Sequence, residues 1–182
     1  MTFRLGDKGD LPELCSLLER AKETLKRQHI FQWDDMYPDK AALTRDIGRG
    51  ELSVGVEQGC IRVFYVLNRE CNQEYENGDW KHQDVFFYII HRLCVDPDFQ
   101  GQGIGRQAME HMERQAVSLG AGAVRLDAFM ENALALGFYK ALGYEIVGVA
   151  HWRKGRFCLM EKYLDVLGNR ETKSVGRTDS EV

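Results

Sequence analysis

The chain has 182 residues, a formal net charge of −4 and a charged fraction of 29%. That length predicts one domain with a real core, and the slightly negative charge argues against nucleic acid as the main partner. No apolar run is long enough to span a bilayer, Met1–Arg4 does not lead into a signal-peptide core, and the five scattered cysteines, without a Cys-x-x-Cys, read as reduced thiols of a cytoplasmic protein.

Asp10 followed by Pro12 makes a helix start, and Leu14, Leu17, Leu18, Ala21 and Leu25 mark the buried stripe of a first helix to about Gln28. Ile30–Pro38 is aromatic-rich and has neither helical nor strand period. Asp39 can cap a short second helix that carries Leu43 and Ile47 and closes at Gly48. Leu52–Glu57, the turn Gln58-Gly59 and Cys60–Asn68 read as an antiparallel hairpin. Arg69–Gln83 is a polar insertion, long for a connection inside a compact domain, and so is either functional or mobile.

Val85–Ile90 then runs into Leu93-Cys94-Val95, the apolar and aromatic pattern of a buried strand, which Pro97 ends. Ile104, Ala108, Met109, Met112, Ala116 and Leu119 recur at helical spacing, with Gly120 as a stop. Between strand and helix, Gly101, Gly103 and Gly105 let backbone approach a ligand with no Cβ in the way. No carboxylate occurs from Phe99 to Met109, whereas Arg106 lies in the first helical turn. A helix stabilising only itself favours Asp or Glu there, so the simplest reading is a bound anion, a phosphate. The turn lacks the Gly-Lys-Ser/Thr of a Walker loop, and Arg106 stands where the last glycine of a dinucleotide fingerprint belongs.

The remainder reads as a strand over Ala123–Phe129, a helix over Asn132–Leu142 with Gly143 at its end, and a hairpin of Glu145–Arg153 and Arg156–Tyr163 around Lys154-Gly155. Residues 1–167 thus form one α/β domain with a mixed central sheet, followed by a polar, flexible tail over 168–182. The histidines at 29, 82, 91, 111 and 151 have no ligand spacing, so no metal site is expected.

Gln100-x-x-Gly103-x-Gly105, followed one helix and one strand later by Asn132-x-x-Ala135-x-x-x-Tyr139 and Leu142-Gly143-Tyr144, resembles the GNAT superfamily of N-acetyltransferases. The likeness covers most of the chain and is specific from about Leu93 to Leu164. It implies a GNAT-type fold, with a mixed, mostly antiparallel central sheet flanked by helices, and acetyl-CoA as co-substrate. It further implies that Gln100, Gly101, Gln102, Gly103, Ile104, Gly105 and Arg106 hold the pyrophosphate. Leu93, Cys94 and Val95 would pair with the pantetheine arm through their main chain, like an added strand. Cys94 is then a small apolar strand residue rather than an acyl-carrying nucleophile. Asn132 matches the position whose side chain bonds the pantetheine arm, and it can cap its helix as well.

Tyr139 matches the family's usual general acid, since a phenol near pKa ~10 can protonate a departing thiolate near ~8.5. The plainer alternative is an aromatic packed beside Phe138 and Tyr144. For the general base, Asp127, Glu131, Asp84 and His91 are candidates that no motif separates. Trp33 and Tyr37, with Asp34 and Asp35, lie in a segment that walls the acceptor site in many relatives. Glu70, Glu74, Glu76 and Asp79 near Tyr75 and Trp80 would suit a cationic amine, although a solvated acidic loop is the weightier reading. The activity implied is acetyl transfer to a primary amine, that of a small molecule, by direct attack in a ternary complex. The rivals are acetylation of protein N-termini or lysines, and an acyl-CoA-binding module without catalysis. No nucleic-acid or membrane partner is expected, and the edges of the last hairpin could pair in a homodimer.

Overall fold

The structure is a computed structural model that describes residues 1–164, so the tail expected from residue 168 lies outside the described residues. The chain opens with a strand that the sequence pattern does not announce, β1 (Thr2–Leu5), antiparallel to the strand over 52–57. With four mostly exposed residues it is too short to display a period. Helix α1 (Leu11–Arg27) buries Leu14, Leu17, Leu18 and Ala21, and α2 (Lys40–Gly48) starts where the Asp39 carboxylate accepts the Ala42 N–H at 2.8 Å. Strands β2 (Leu52–Glu57) and β3 (Cys60–Asn68) turn at Gln58 and Gly59, both with positive φ, as a two-residue hairpin requires. The order continues with β4 (Phe87–Val95), α3 (Ile104–Ser118), β5 (Ala123–Phe129), α4 (Ala133–Ala141), β6 (Glu145–Trp152) and β7 (Gly155–Tyr163). Among the described residues no helix is long and apolar enough to cross a membrane.

The seven strands lie in the order β1-β2-β3-β4-β5-β7-β6, and only β4 and β5 run parallel. This is the mixed, mostly antiparallel sheet flanked by helices that the sequence implies. Helix α3 covers one face, where Met109 and Met112 are fully buried against a layer including Val63, Ile90, Val124 and Met160. Each such side chain contributes roughly 1.5–3 kcal/mol by leaving water. Helices α1 and α2 cover part of the opposite face, over Leu52, Val54, Phe64 and Val66.

The rest of that second face is covered by the 69–83 insertion, which is anchored. Tyr75 and Trp80 are buried against Ile89, Val147, Ala150 and Leu159. The Asp79 N–H donates to the Val147 carbonyl at 2.7 Å, and Gly78 bridges to Gly148. A Cβ on Gly148 would lie 2.6 Å from the Asn77 carbonyl oxygen, so glycine there lets the insertion lie flat. Beneath it, Arg125 pairs with Glu161 at 3.0 Å, and the Glu161 carboxylate also accepts the N–H groups of Lys81 and His82. Part of the hydrogen-bonding capacity of β6 is therefore used within the chain.

One irregularity opens the sheet. β4 and β5 pair from Phe87 and Ala123 to Ile90 and Leu126, and then stop. At that point β4 carries one extra residue relative to β3, since Cys94 opposes Phe64 but His91 opposes Val66, and Arg92 sits at φ 53°. Beyond the bulge, Val95 and Cys94 pair only with β3, while Asp127–Phe129 pair only with β7. The two parallel strands splay into a wedge.

Candidate active site

Two cavities open from this wedge, of about 480 and 530 Å³, and Gln32, Trp33, Leu93, Ala135 and Tyr139 line both. The 480 Å³ cavity runs from the wedge to the glycine turn. That turn is fixed from below by Asp96, which is buried and accepts from Arg20 at 3.1 Å, with Arg62 at 3.7 Å, and from the Asp98 N–H. Gly101 and Gly103 have φ 78° and 80°, a region open to glycine and strained for other residues. Gly105 is needed for a different reason: a Cβ there would meet Phe138 Cζ at 3.3 Å and Val95 Cγ2 at 3.6 Å. Gly103 is the N-cap of α3, with no side chain capping it and no acid in the first turn. The N–H groups of that turn are therefore available to an anion.

Of the residues expected to hold a co-substrate, Leu93, Cys94, Val95, Gln100, Gly101, Gly103, Gly105, Arg106 and Asn132 line this cavity. Ile104 and Gln102 do not. The Ile104 side chain is buried in the core, and the Gln102 amide reaches back to the Asp98 carbonyl. Asn132 is buried and hydrogen-bonded at both ends of its amide: its Oδ1 accepts the Ala135 N–H at 3.0 Å, and its Nδ2 donates to Gln32 Oε1 at 2.9 Å. Burial, with the nearby Asp96 charge, pushes the Cys94 thiol far up, so it stays protonated and inert as a nucleophile.

The 530 Å³ cavity contains the remaining candidates, Trp33, Tyr37 and Asp127, in its lining. Burial raises the Asp127 carboxyl to about 6, against a lowering by the Tyr75 hydroxyl, which donates to it at 2.9 Å. Tyr75 is held in turn by stacking on Trp80, whose Nε1 donates to the Tyr75 carbonyl. His91 also lines the cavity, but burial and Arg92 lower its pKa to about 4, so the ring is neutral near pH 7. Asp84 and Glu131 are exposed and outside the lining. Tyr139 faces both cavities, and burial first, then the Asp127 charge, pushes its phenol well up, keeping it a proton donor. Among the described residues no group of three or more His, Cys, Asp or Glu is placed to hold a metal ion.

The insertion's carboxylates do not form an acidic wall. Glu70 lines the cavity but bonds Arg49 at 2.6 Å, and Glu74, Glu76 and Asp79 lie outside the lining. The rim instead carries Arg92, Arg153 and Lys154, none of which the sequence marks. Asp34 accepts from Arg153 at 2.8 and 3.1 Å and from Lys154 at 3.3 Å, tying the 30–38 segment to the β6–β7 turn. No periodicity or motif links residues so far apart in sequence, and the Gln32–Asn132 contact was equally hidden.

Residues 52–144 match the sequence model of the Acetyltransferase (GNAT) family. The chain is 36% identical to the N-alpha-acetyltransferase RimI of Mycobacterium tuberculosis over 125 residues, 66% of this chain and 68% of that protein. It is 32% identical over 68 residues to an uncharacterized protein of Mycobacterium leprae, of which it spans 18%. A GNAT-family acetyltransferase structure from Streptococcus agalactiae superposes with a TM-score of 0.79 at 20% identity, covering 89% of this chain and 94% of the other.

Proposed function

The chain belongs to the Acetyltransferase (GNAT) family, and we propose that it is an acetyl-CoA-dependent N-acetyltransferase of the cytoplasm, acting on the primary amine of a small molecule within a ternary complex. The observation that carries this reading is the meeting of two cavities at Tyr139, one ending in an anion-binding turn and the other holding Asp127. The free amides of the α3 N-terminus and Arg106 take the phosphates of the co-substrate. The edge of β4 from Leu93 to Val95, which has no strand on its β5 side, takes the pantetheine arm and aims the thioester at the junction.

Asp127, ionised above about pH 6, accepts a proton from the acceptor ammonium. The freed lone pair attacks the thioester carbonyl carbon, the C–N bond forms and the C–S bond breaks. Tyr139 Oη gives its proton to the departing sulfur. The second proton lost by nitrogen restores the phenol, and the one on Asp127 leaves to solvent, so one proton is released per turnover. Tyr75 holds the Asp127 carboxylate in place during this exchange.

A compact acceptor is favoured by the tie from Asp34 to Arg153 and Lys154 across the rim, and by the insertion lying over the adjoining sheet face. The likeness to RimI, an N-alpha-acetyltransferase, favours a second reading, in which the amine is a protein N-terminus. Thiol release from acetyl-CoA, measured across small amines and N-terminal peptides, decides between them. Turnover with small amines while peptides are inert supports the first, and the converse supports the second. Silence from every acceptor, with acetyl-CoA bound, leaves an acyl-CoA-binding module.

A further inference from the structure

The acceptor cavity reverses the charge balance of the chain. The molecule carries 24 Lys and Arg against 28 Asp and Glu, yet five cations line this cavity (Arg45, Arg49, Arg92, Arg153 and Lys154) against two carboxylates, Glu70 and Asp127. They converge from three places: α2 with its C-cap Arg49, the β4 bulge and the β6–β7 turn. Internal pairs account for some of this charge. Arg49 is taken by Glu70, and Arg153 and Lys154 by Asp34.

Apart from the Asp127 carboxylate, the unpaired groups among these side chains are donors. Arg45 makes no ion pair among the described residues, although it lines the cavity. Arg92 gives one nitrogen to Asp46 at 2.9 Å, but its Nε is buried without a partner. Trp152, also in the lining, leaves its indole N–H buried and unpartnered. The one unpartnered buried side-chain acceptor among the described residues, Gln115 Oε1, lies on α3, outside this cavity. Buried donors are satisfied by an incoming oxygen and not by a further cation. A polyamine would add cations to a wall of cations, whereas an oxyanion would meet complementary charge.

Resting on the N-acetyltransferase reading, we propose that the acceptor carries a carboxylate or phosphate group besides its amine, the anion held by Arg45 and Arg92 while the amine is delivered to Asp127. The two ends of such a molecule are recognised by opposite charges, Arg45 on α2 and Arg92 on β4 against Asp127 on β5, which fixes its orientation toward Tyr139. Guanidinium suits this role because its planar donors match both carboxylate and phosphate oxygens.

The test is the initial rate of thiol release by the full chain at saturating acetyl-CoA with matched acceptors. An amino acid is compared with its amide, phosphoethanolamine with ethanolamine, and spermidine serves as the polycation. The expected result is a KM about 10-fold or more lower for the acid than for its neutral partner, the size of a charge-assisted hydrogen bond. Comparing the two pairs separates a carboxylate site from a phosphate site. Arg45→Gln, on the exposed side of α2, should erase about 10-fold of that preference. The KM for acetyl-CoA should stay at its wild-type value and that for the amide should rise less than that for the acid, and an unchanged melting temperature confirms that the variant folds. Preference for amides or spermidine, or a preference for acids that survives Arg45→Gln intact, overturns the inference while the acetyltransferase reading stands. Absence of thiol release from every acceptor, peptides included, removes that reading and this inference with it.

Discussion

The two cavities that meet at Tyr139 are built by opposite means. The side proposed to hold the co-substrate comes mostly from one continuous run, the end of β4, the glycine turn and the start of α3, and it offers backbone: unpaired strand edge, left-handed glycines and helix amides. The proposed acceptor side draws single side chains from the 30–38 segment, α2, the insertion, β4, β5 and the β6–β7 turn, held by ion pairs and one buried phenol–carboxylate bond. A backbone-built site recognises what many relatives share and tolerates side-chain drift. A side-chain site can be rewritten one residue at a time, so specificity belongs there.

The comparison can be broken by substitution. Tyr139→Phe should lower turnover about 100-fold, the usual range for losing an acid catalyst, while acetyl-CoA affinity stays near wild type by calorimetry. Wild-type turnover in that variant would remove the phenol from the chemistry. Asp127→Asn should be comparably slow, and it also tests the pH dependence. In the wild type, kcat/KM should fall as pH drops through about 6, because protonated Asp127 cannot accept the ammonium proton, and the variant should lack this limb.

The same residue makes a stability statement of known sign. Its folded pKa of about 6 lies above the ordinary 3.8, so the stability linked to its protonation is full below pH 3.8 and lost as pH rises through about 6. At 1.36 kcal/mol per unit, the ionised carboxylate costs the fold about 3 kcal/mol at pH 7. Asp127→Asn should therefore melt higher than wild type at pH 7 and lose that advantage toward pH 4. A variant that melts lower at pH 7 would contradict the burial argument.

On the co-substrate side the expected effect is smaller and of the other kind. Gly103→Ala puts a Cβ at φ 80° in otherwise open space, and the strain of roughly 1–2 kcal/mol should weaken acetyl-CoA binding about 10-fold while acceptor KM holds. The smallest effect is expected at Tyr75→Phe. Removing its hydroxyl takes away a bond that lowers the Asp127 pKa, so the acid limb should move upward by about one unit or less with little loss of maximal rate. An unmoved limb would reduce the insertion to a cover for the sheet.

Much of the fold was legible because its signals are local. The helical stripe of α1, the Gln58-Gly59 hairpin and the strand–turn–helix around Gly103 each declare themselves within a few residues. β1 was missed because four mostly exposed residues carry no period, and their pairing is decided by β2, some fifty positions away. The polar composition of residues 69–83 concealed that Tyr75 and Trp80 anchor them on the part of a sheet face that α1 and α2 leave uncovered.

Local sequence by itself determined the secondary elements other than β1, the glycine turn before α3 and the presence of Tyr139 in a family pattern. The energies involved there, turn conformation, helix caps and hydrophobic periodicity, act between residues close along the chain. Only the tertiary structure decided that β4 bulges at Arg92 and parts from β5, that Asp127 is the carboxylate set in the wedge, and that five cations surround the acceptor cavity. Burial raises the Asp127 pKa and cations from distant parts of the chain converge on one cavity, and both depend on distances in space that the chain order does not encode.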